Sequence, residues 1–423
     1  MIKHKSKPVG TLIAALDIGT TKIVCLIARV QDNESKLEII GVGHQAAKGM
    51  KTGTVVDIDA AETAIRQAVH TAENMAAEIM KGYPLRHVLI SLAGLHCASL
   101  TQSVDVQISG YEVTNNDIRR ALARAQEQIP HREVDLIHTI PVDFRLDGQE
   151  GICEPRGMYG QTLGVDIHVV TGNKGAIRNL ATCVERSHLD ISGVCCAPYA
   201  AGLAALVEDE MELGCTVIDM GGGVTSVAMF ENDALTHVSA VPVGGQHVTN
   251  DIARGLTTPV SEAERLKTLY GSAISSTSDE NEMIDVPTLG ENEAHQPNHV
   301  PRSYLVNIIQ PRLEEIFELV RNKLDEEGMG TSAGRRVVLT GGASQIPGMR
   351  DLAQKVLNKQ VRLGRPVRLD GLPESLSGPA FASSTGLLLY SMEHHDEMPD
   401  EIFRRVEPGS LWERIRIWLR ENW

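Results

Sequence analysis

The sequence contains no apolar run long enough to cross a bilayer. The nearest approach to a leader, TLIAAL at 11–16, breaks at Asp17, far short of the ~20 residues a spanning helix requires. Paired cysteines are also missing. The seven cysteines (Cys25, Cys97, Cys153, Cys183, Cys195, Cys196, Cys215) are odd in number and show no C-x-x-C spacing. That pattern argues against a disulfide framework or a zinc site and for reduced thiols in a cytoplasmic body; the adjacent Cys195 and Cys196 read as ordinary core or loop residues. Positive charge is in deficit, 40 Lys and Arg against 55 Asp and Glu for a net −15, which argues against a nucleic-acid partner and against attraction of the whole body to an anionic membrane. Tryptophan is absent from the first 411 residues, and all three copies, Trp412, Trp418 and Trp423, fall in SLWERIRIWLRENW.

What the chain does have is a repeat. LIAALDIGTTKIVCLIA at 12–28 reads as an apolar strand, an acidic residue, a Gly/Thr turn and a returning β-branched strand, the pattern of a polar-tipped β-hairpin. CTVIDMGGGVTSVAMF at 215–230 repeats it, with Asp219 in the place of Asp17 and Thr225 in that of Thr21. Two such hairpins, one in each half, point to a duplicated domain pair facing a shared cleft. A third motif, VVLTGGASQIPGM at 337–349, is a strand running into Gly341-Gly342-Ala343 and then helix-compatible MRDLAQKVL. Glycines at such a turn let backbone approach a ligand, and a following helix N-terminus favours negative charge.

These residue types suit a nucleotide. Phosphates need backbone N–H donors and hydroxyls, which Gly19, Thr20, Thr21, Gly221, Gly222, Gly223 and Thr225 offer, and Lys22 adds a cation. Two carboxylates, Asp17 and Asp219, facing each other across phosphates suit Mg²⁺ held through its waters. On these residues the chain resembles the actin-like ATPases, with DIGTTK as first phosphate loop, DMGGGVTS as second and LTGGAS as adenosine motif. The resemblance implies an α/β actin-like fold, a duplicated ribonuclease H-like architecture of two lobes around an ATP–Mg²⁺ cleft. It also adds Gly244, Gly245, Glu264 and Lys267 as nucleotide neighbours.

Within that superfamily, KGMKTGTVVDID, ISLAG and PYAAGLAAL resemble the FtsA family of bacterial division proteins. Such proteins carry a relocated α+β subdomain. It is expected here at 86–165, where VTNNDIRRALARAQEQI reads as a capped amphipathic helix and LIHTIPVDFRLDG as a strand. The expected partition is 1–85 with 166–198 and 367–390 as subdomain 1A, 86–165 as 1C, 199–243 with 303–366 as 2A, and 244–302 as 2B. Polar SAISSTSDENEMIDVPTLGENEAHQPNHVP reads as a flexible surface insertion. It precedes PRSYLVNIIQPRLEEIFELVRNKLDEEG, which has helical spacing despite Pro311. The resemblance further implies that Arg302 helps dock the C-terminal peptide of the tubulin-like protein FtsZ. Ala197 stands before Pro198 where relatives have a glutamate, so weak hydrolysis at most is expected, with no catalytic residue assigned.

Residues 391–409 read as a flexible linker. Wound as a helix, 410–423 gathers Leu411, Trp412, Ile415, Trp418 and Leu419 on one face with Trp423 at its edge, flanked by arginines. Indoles beside an arginine-rich polar face mark a membrane-surface helix, anchored by Trp412, Ile415, Trp418, Leu419 and Trp423. The reading that unites these features is an ATP-binding division protein that polymerises on the cytoplasmic face of the inner membrane, tethers FtsZ and recruits later division proteins. An adaptor of another membrane machine, such as pilus assembly, and a small-molecule kinase of the same fold are the alternatives. The first should lack the tail, and the second should show a catalytic base.

Overall fold

The computed structural model describes residues 8–393 apart from 32–35, 129–132, 153, 289–297, 331–333, 368, 370 and 371. The membrane helix expected over 410–423 and all but the first three residues of the linker lie outside the described residues.

The first hairpin forms as its pattern requires. Strands β1 (Leu12–Ile18) and β2 (Lys22–Val30) pair antiparallel, and β3 (Leu37–Ala46) continues the meander. On the other side of β1, β4 (His87–Leu92) and β5 (Asp190–Cys196) add in parallel, giving the order β5-β4-β1-β2-β3. Helix α1 (Ile58–Met80), capped by the Asp57 side chain, presents an alanine-lined face to this sheet. The approach leaves no room for larger groups, since a Cβ on Gly43 would lie 1.7 Å from the Ala68 carbonyl oxygen.

Between β4 and β5 the chain leaves the lobe to build a four-stranded antiparallel sheet from Cys97–Gln107, Val134–Leu146, Gln149–Ile152 and Thr162–Asn173. Helix α2 (Asn115–Glu127) packs on it and starts from a Thr114–Asp117 capping box. The insertion therefore occupies roughly 93–173 rather than 86–165: the stretch from 87 to 92 is a buried parallel strand of the first lobe, and the inserted sheet runs eight residues past 165. Ser99 Oγ joins this subdomain to the second lobe by donating to the Val238 carbonyl at 3.2 Å and accepting from its N–H at 3.0 Å.

After helix α3 (Ala197–Ala205), the second lobe repeats the first. Strands β6 (Cys215–Met220), β7 (Thr225–Glu231) and β8 (Ala234–Val241) form the meander, and β9 (Arg336–Thr340) and β10 (Gln360–Leu363) add in parallel beyond β6. The order β8-β7-β6-β9-β10 is that of the first sheet, strand for strand. Helices α4 (Gly245–Gly255), α5 (Val260–Tyr270) and α6 (Arg302–Glu326) build its other part, and α6 continues through Pro311 on a buried face that includes Leu305, Ile309, Leu313 and Phe317. The described residues of the segment expected as a surface insertion include regular structure that its composition does not suggest. Met283–Val286 pairs with Asn298–Pro301, and Ile284 and Val286 are buried in the lobe's core.

Helices α3 and α7 (Ala382–Glu393) cross where the two lobes share one apolar core. Gly386 sits at the crossing, and a Cβ there would fall 1.7 Å from the Ala200 carbonyl oxygen. Because both helices are buried, Gly386→Ala must separate them and is expected to cost roughly 1–3 kcal/mol. Chemical denaturation of the two proteins checks this, and coincident curves would show that the crossing tolerates a methyl group.

Candidate nucleotide-binding cleft

Each hairpin carries its aspartate at the same register. Asp17 pairs with Val24 and Asp219 with Ser226, one residue before the last pair of each ladder. The tips close alike, with Gly19 N–H donating to the Lys22 carbonyl at 3.0 Å and Gly221 N–H to the Val224 carbonyl at 2.9 Å. The tips then press together. A Cβ on Gly222 would lie 2.4 Å from the Thr21 methyl carbon, and one on Gly223 would lie 2.6 Å from Thr20 Oγ1. Thr20 Oγ1 also accepts from Gly53 N–H at 2.9 Å, and Thr225 Oγ1 donates to the Val243 carbonyl at 2.8 Å. Glycine is required at these contacts by the close approach of backbone, and the same bareness leaves N–H groups open to a ligand.

The remaining motifs converge on the second tip. Gly245 and Gln246 N–H bond the Gly221 and Gly222 carbonyls at 2.9 and 2.7 Å, which seats the start of α4, next to Gly244, against the loop. Gly341 has φ +86°, and a Cβ there would fall 2.3 Å from Asp219 Oδ1. Gly342 and Ala343 follow in a 3₁₀ turn at Gly342–Gln345, so the α-helix of this motif begins only at Met349. Ala343 lies beside Gly245, its Cβ 3.0 Å from where a Gly245 Cβ would stand. Glu264 and Lys267 are an ion pair at 2.7 Å, and both also bond Thr249 Oγ1 on α4, at 2.5 and 2.8 Å. Lys267 Nζ reaches the Gly245 carbonyl at 3.3 Å. Lys267 is thus fastened to the glycine turn, while Glu264 stays about half exposed.

Charge in the cleft is sparse and strongly perturbed. Burial raises the Asp17 carboxyl above its ordinary range, opposed by a 2.7 Å hydrogen bond from Ser91 Oγ and by Lys22. Burial likewise pushes Asp219 up to about 6, with Ser383 Oγ donating to it at 3.0 Å, Asp17 adding to the rise and Lys22 opposing it. Lys22 is lowered by burial, and the two aspartates resist. Its ammonium donates to the Ala380 carbonyl and lies 4.1 Å from the centre of the Phe381 ring. Two carboxylates with one cation leave a site whose aspartates resist ionising together. A phosphate chain could face them only with a further cation between. Carboxylates that approach through water suit Mg²⁺, so these residues fit a Mg²⁺–nucleotide.

Ser91, Ala380, Phe381 and Ser383 were not legible as site residues, because their partners lie far away in sequence, and Thr249 meets Glu264 and Lys267 only once α4 packs on α5. The parallel register of β4 on β1 puts Ser91 beside Asp17, and α7 brings in Ser383. Arg302, expected at a docking surface, is at the start of α6 but is engaged internally. Its guanidinium donates to the Tyr270 carbonyl at 2.7 Å and to Asp279 and Glu282 at 3.0 and 3.1 Å. Trp412, Ile415, Trp418, Leu419 and Trp423 lie outside the described residues.

Comparison with known proteins places the chain in context. A family profile described as cell division protein FtsA matches residues 216–386, and one described as an SHS2 domain inserted in FTSA matches 94–171. The chain is similar to the cell division protein FtsA of Rhizobium meliloti (strain 1021), 41% identical over 97% of this chain and 95% of that protein. It is 42% identical to that of Agrobacterium fabrum (strain C58) over 100% and 97%, and 33% identical to that of Escherichia coli (strain K12) over 97% and 98%. Among solved structures, the PilM-PilN type IV pilus biogenesis complex is similar at TM-score 0.61 and 19% identity, covering 92% of this chain and 100% of that one. MreB5 of Spiroplasma citri bound to ADP follows at 0.52 and 14%, covering 90% and 97%. The shared fold is that of actin-like ATPases.

The raised Asp219 carboxyl has a consequence for stability. Between its ordinary value of 3.8 and about 6, the folded protein holds a proton there that the unfolded chain has released. Stability contributed by the site therefore falls as pH rises through that window and levels off above it. Asp219→Asn removes the charge, so the variant should exceed wild type by about 1–2 kcal/mol above pH 6 and lose that margin toward pH 4. Paired denaturation curves across this range test it, and a pH-independent difference would contradict the assignment.

Proposed function

This chain belongs to the FtsA family of cell-division proteins, and we propose that it is an ATP-binding, polymer-forming protein that ties FtsZ filaments to the cytoplasmic face of the inner membrane. One observation carries the nucleotide part: two glycine loops are packed tip to tip, and the aspartate beside each, Asp17 and Asp219, feels the charge of the same Lys22. ATP would place its phosphates against Gly19–Lys22 and 221–225, with Mg²⁺ held through water by Asp17 and Asp219. Its base and ribose would lie toward Gly244, Gly245, Glu264, Lys267 and Gly341–Ala343. The solved MreB5 of this fold carries ADP, which supports the reading. Ala197 opens α3 without a carboxylate, in keeping with ATP as a conformational ligand that is turned over weakly at most.

The tail supports the membrane part. An acidic body of net charge −15 is repelled by anionic lipid, so attachment needs a segment of different chemistry. Residues 410–423, with three indoles and three arginines, supply it. One short amphipathic helix binds reversibly, so a polymer that presents many copies would bind far more firmly. The inserted subdomain would serve the recruitment of later division proteins, and the partition into 1A, 1C, 2A and 2B follows with the insertion moved to 93–173.

FtsZ docking is placed on the small part of the second lobe. The elements meeting at Arg302 expose Leu269, Met283 and Tyr304, giving apolar contacts around a cation. A short acidic peptide would compete with Glu282, the more exposed of its two carboxylate partners, for that guanidinium. The small-molecule kinase lacks support, because the relatives matched over nearly the whole chain are cell-division proteins. Against the pilus adaptor stand family matches over nearly the whole chain.

Removing residues from 410 onward should abolish co-sedimentation with anionic liposomes while leaving ATP affinity within about twofold; a truncated protein that still sediments like the full chain would sink the tether. Arg302→Glu and, separately, Tyr304→Ala should each weaken binding of an FtsZ C-terminal peptide at least about tenfold, roughly 1.4 kcal/mol. The surface variant Tyr304→Ala guards against a purely structural effect of Arg302, and unchanged affinity in both would remove docking from this surface.

A further inference from the structure

Helix α7 touches the cleft at one end and the inserted subdomain at the other. Its first turn supplies Ser383, which donates to Asp219 Oδ2 at 3.0 Å. The residues just before it supply the Ala380 carbonyl and Phe381 ring that hold the Lys22 ammonium, and the Pro379 carbonyl that accepts from Gly341 N–H at 3.1 Å. Near its last turn, fully buried Tyr390 places its hydroxyl 2.9 Å from Nδ1 of buried His138, on the inserted strand Val134–Leu146. The other ring nitrogen of His138 accepts from Cys196 N–H at 3.0 Å, at the residue that caps α3. The two ends are ~12 Å apart along a continuous helix. That helix cannot bend freely, since Ser384, Thr385, Leu387 and Leu388 are buried and Gly386 locks it against α3.

We propose that α7 is the element through which occupancy of the cleft is reported to the inserted subdomain. The inference rests on the nucleotide reading above. Lys22 and Asp219 are the groups that a Mg²⁺–triphosphate must engage, and both are held by the start of α7. Ligand binding that takes Lys22 from the Ala380 carbonyl frees that turn to move, and a stiff helix passes the displacement on to Tyr390. There the movement meets a fully buried hydrogen bond, which a small shift breaks or reorients because no water is at hand to replace it. His138 is bonded on both ring nitrogens, so the shift is felt in strand Val134–Leu146 and at the cap of α3 together. The inserted subdomain, which bonds the second lobe through Ser99 and Val238, would then seat differently in the bound and unbound states.

Amide hydrogen exchange of the full-length protein, with and without Mg²⁺-ATP, tests this. In wild type, ATP should change exchange in peptides covering 134–146 at least about threefold. Tyr390→Phe keeps the ring and removes only the hydroxyl; it should bind Mg²⁺-ATP within about twofold of wild type, yet lose most of that change. A change of the same size in Tyr390→Phe overturns the proposal, as does wild type that binds ATP with exchange at 134–146 unaltered. Should Tyr390→Phe fold poorly, the wild-type measurement still decides. Wild type that does not bind Mg²⁺-ATP at all would overturn the nucleotide reading and this inference with it, whereas binding without transmission overturns this inference alone.

Discussion

Two carboxylates that resist being charged together set the constraint that the surrounding structure has to meet. Asp17 and Asp219 sit in one partly buried cleft with one lysine to offset them, and desolvation raises both. Left alone, such a pair would be a defect, and the surrounding structure shows how it is managed. Ser91 donates to one aspartate and Ser383 to the other, while Gly341 yields the space a side chain would take from Asp219 Oδ1. Each of these groups comes from a different element. The cleft and the fold are therefore one problem of packing, and duplication solves it economically: two hairpins with the same register deliver two acids at equivalent points.

The same demand explains where glycine is indispensable. At Gly222 and Gly223 the contact is with threonines of the opposite loop, and at Gly386 it is with the backbone of α3. These positions bring the lobes together, whereas glycines in open loops meet nothing and carry no such constraint. A cleft closed by bare backbone is also one whose N–H groups lie within reach of an anion. Close packing between lobes and readiness for phosphate thus have a common cause in the absence of Cβ.

Much of this was legible in the chain, and the limits were physical. The hairpins, the capped helix at 115–127 and the long helix through Pro311 could be read because each rests on patterns within a dozen or so residues. The boundary at 86 was misplaced because RHVLISL has the apolar character of any buried strand, and only pairing with β1 reveals which sheet owns it. The pairing of Met283–Val286 with Asn298–Pro301 was hidden by its polar surroundings, since buried Ile284 and Val286 belong to a segment otherwise rich in Ser, Asp, Glu and Asn. Ser91 and Ser383 carried no signal at all, being 74 and 164 residues from the aspartates they serve. Arg302 could be read as a residue at a helix start, but its pairing with Asp279, Glu282 and Tyr270 depends on three elements meeting at the start of α6.

That pairing bears on how a docking surface of the proposed kind would work. An arginine held by two carboxylates and a carbonyl is already ordered, so a peptide carboxylate would recruit it with little loss of side-chain freedom. The cost is displacement of an existing partner, and Glu282, the more exposed acid of the two, is the one that water can compensate. Asp279 is buried and would keep its bond, holding the guanidinium in place while its outer edge changes partners. Such an exchange favours modest affinity and fast release. A filament tether needs that combination, because each link must break as filaments turn over while many links together keep the filament at the membrane.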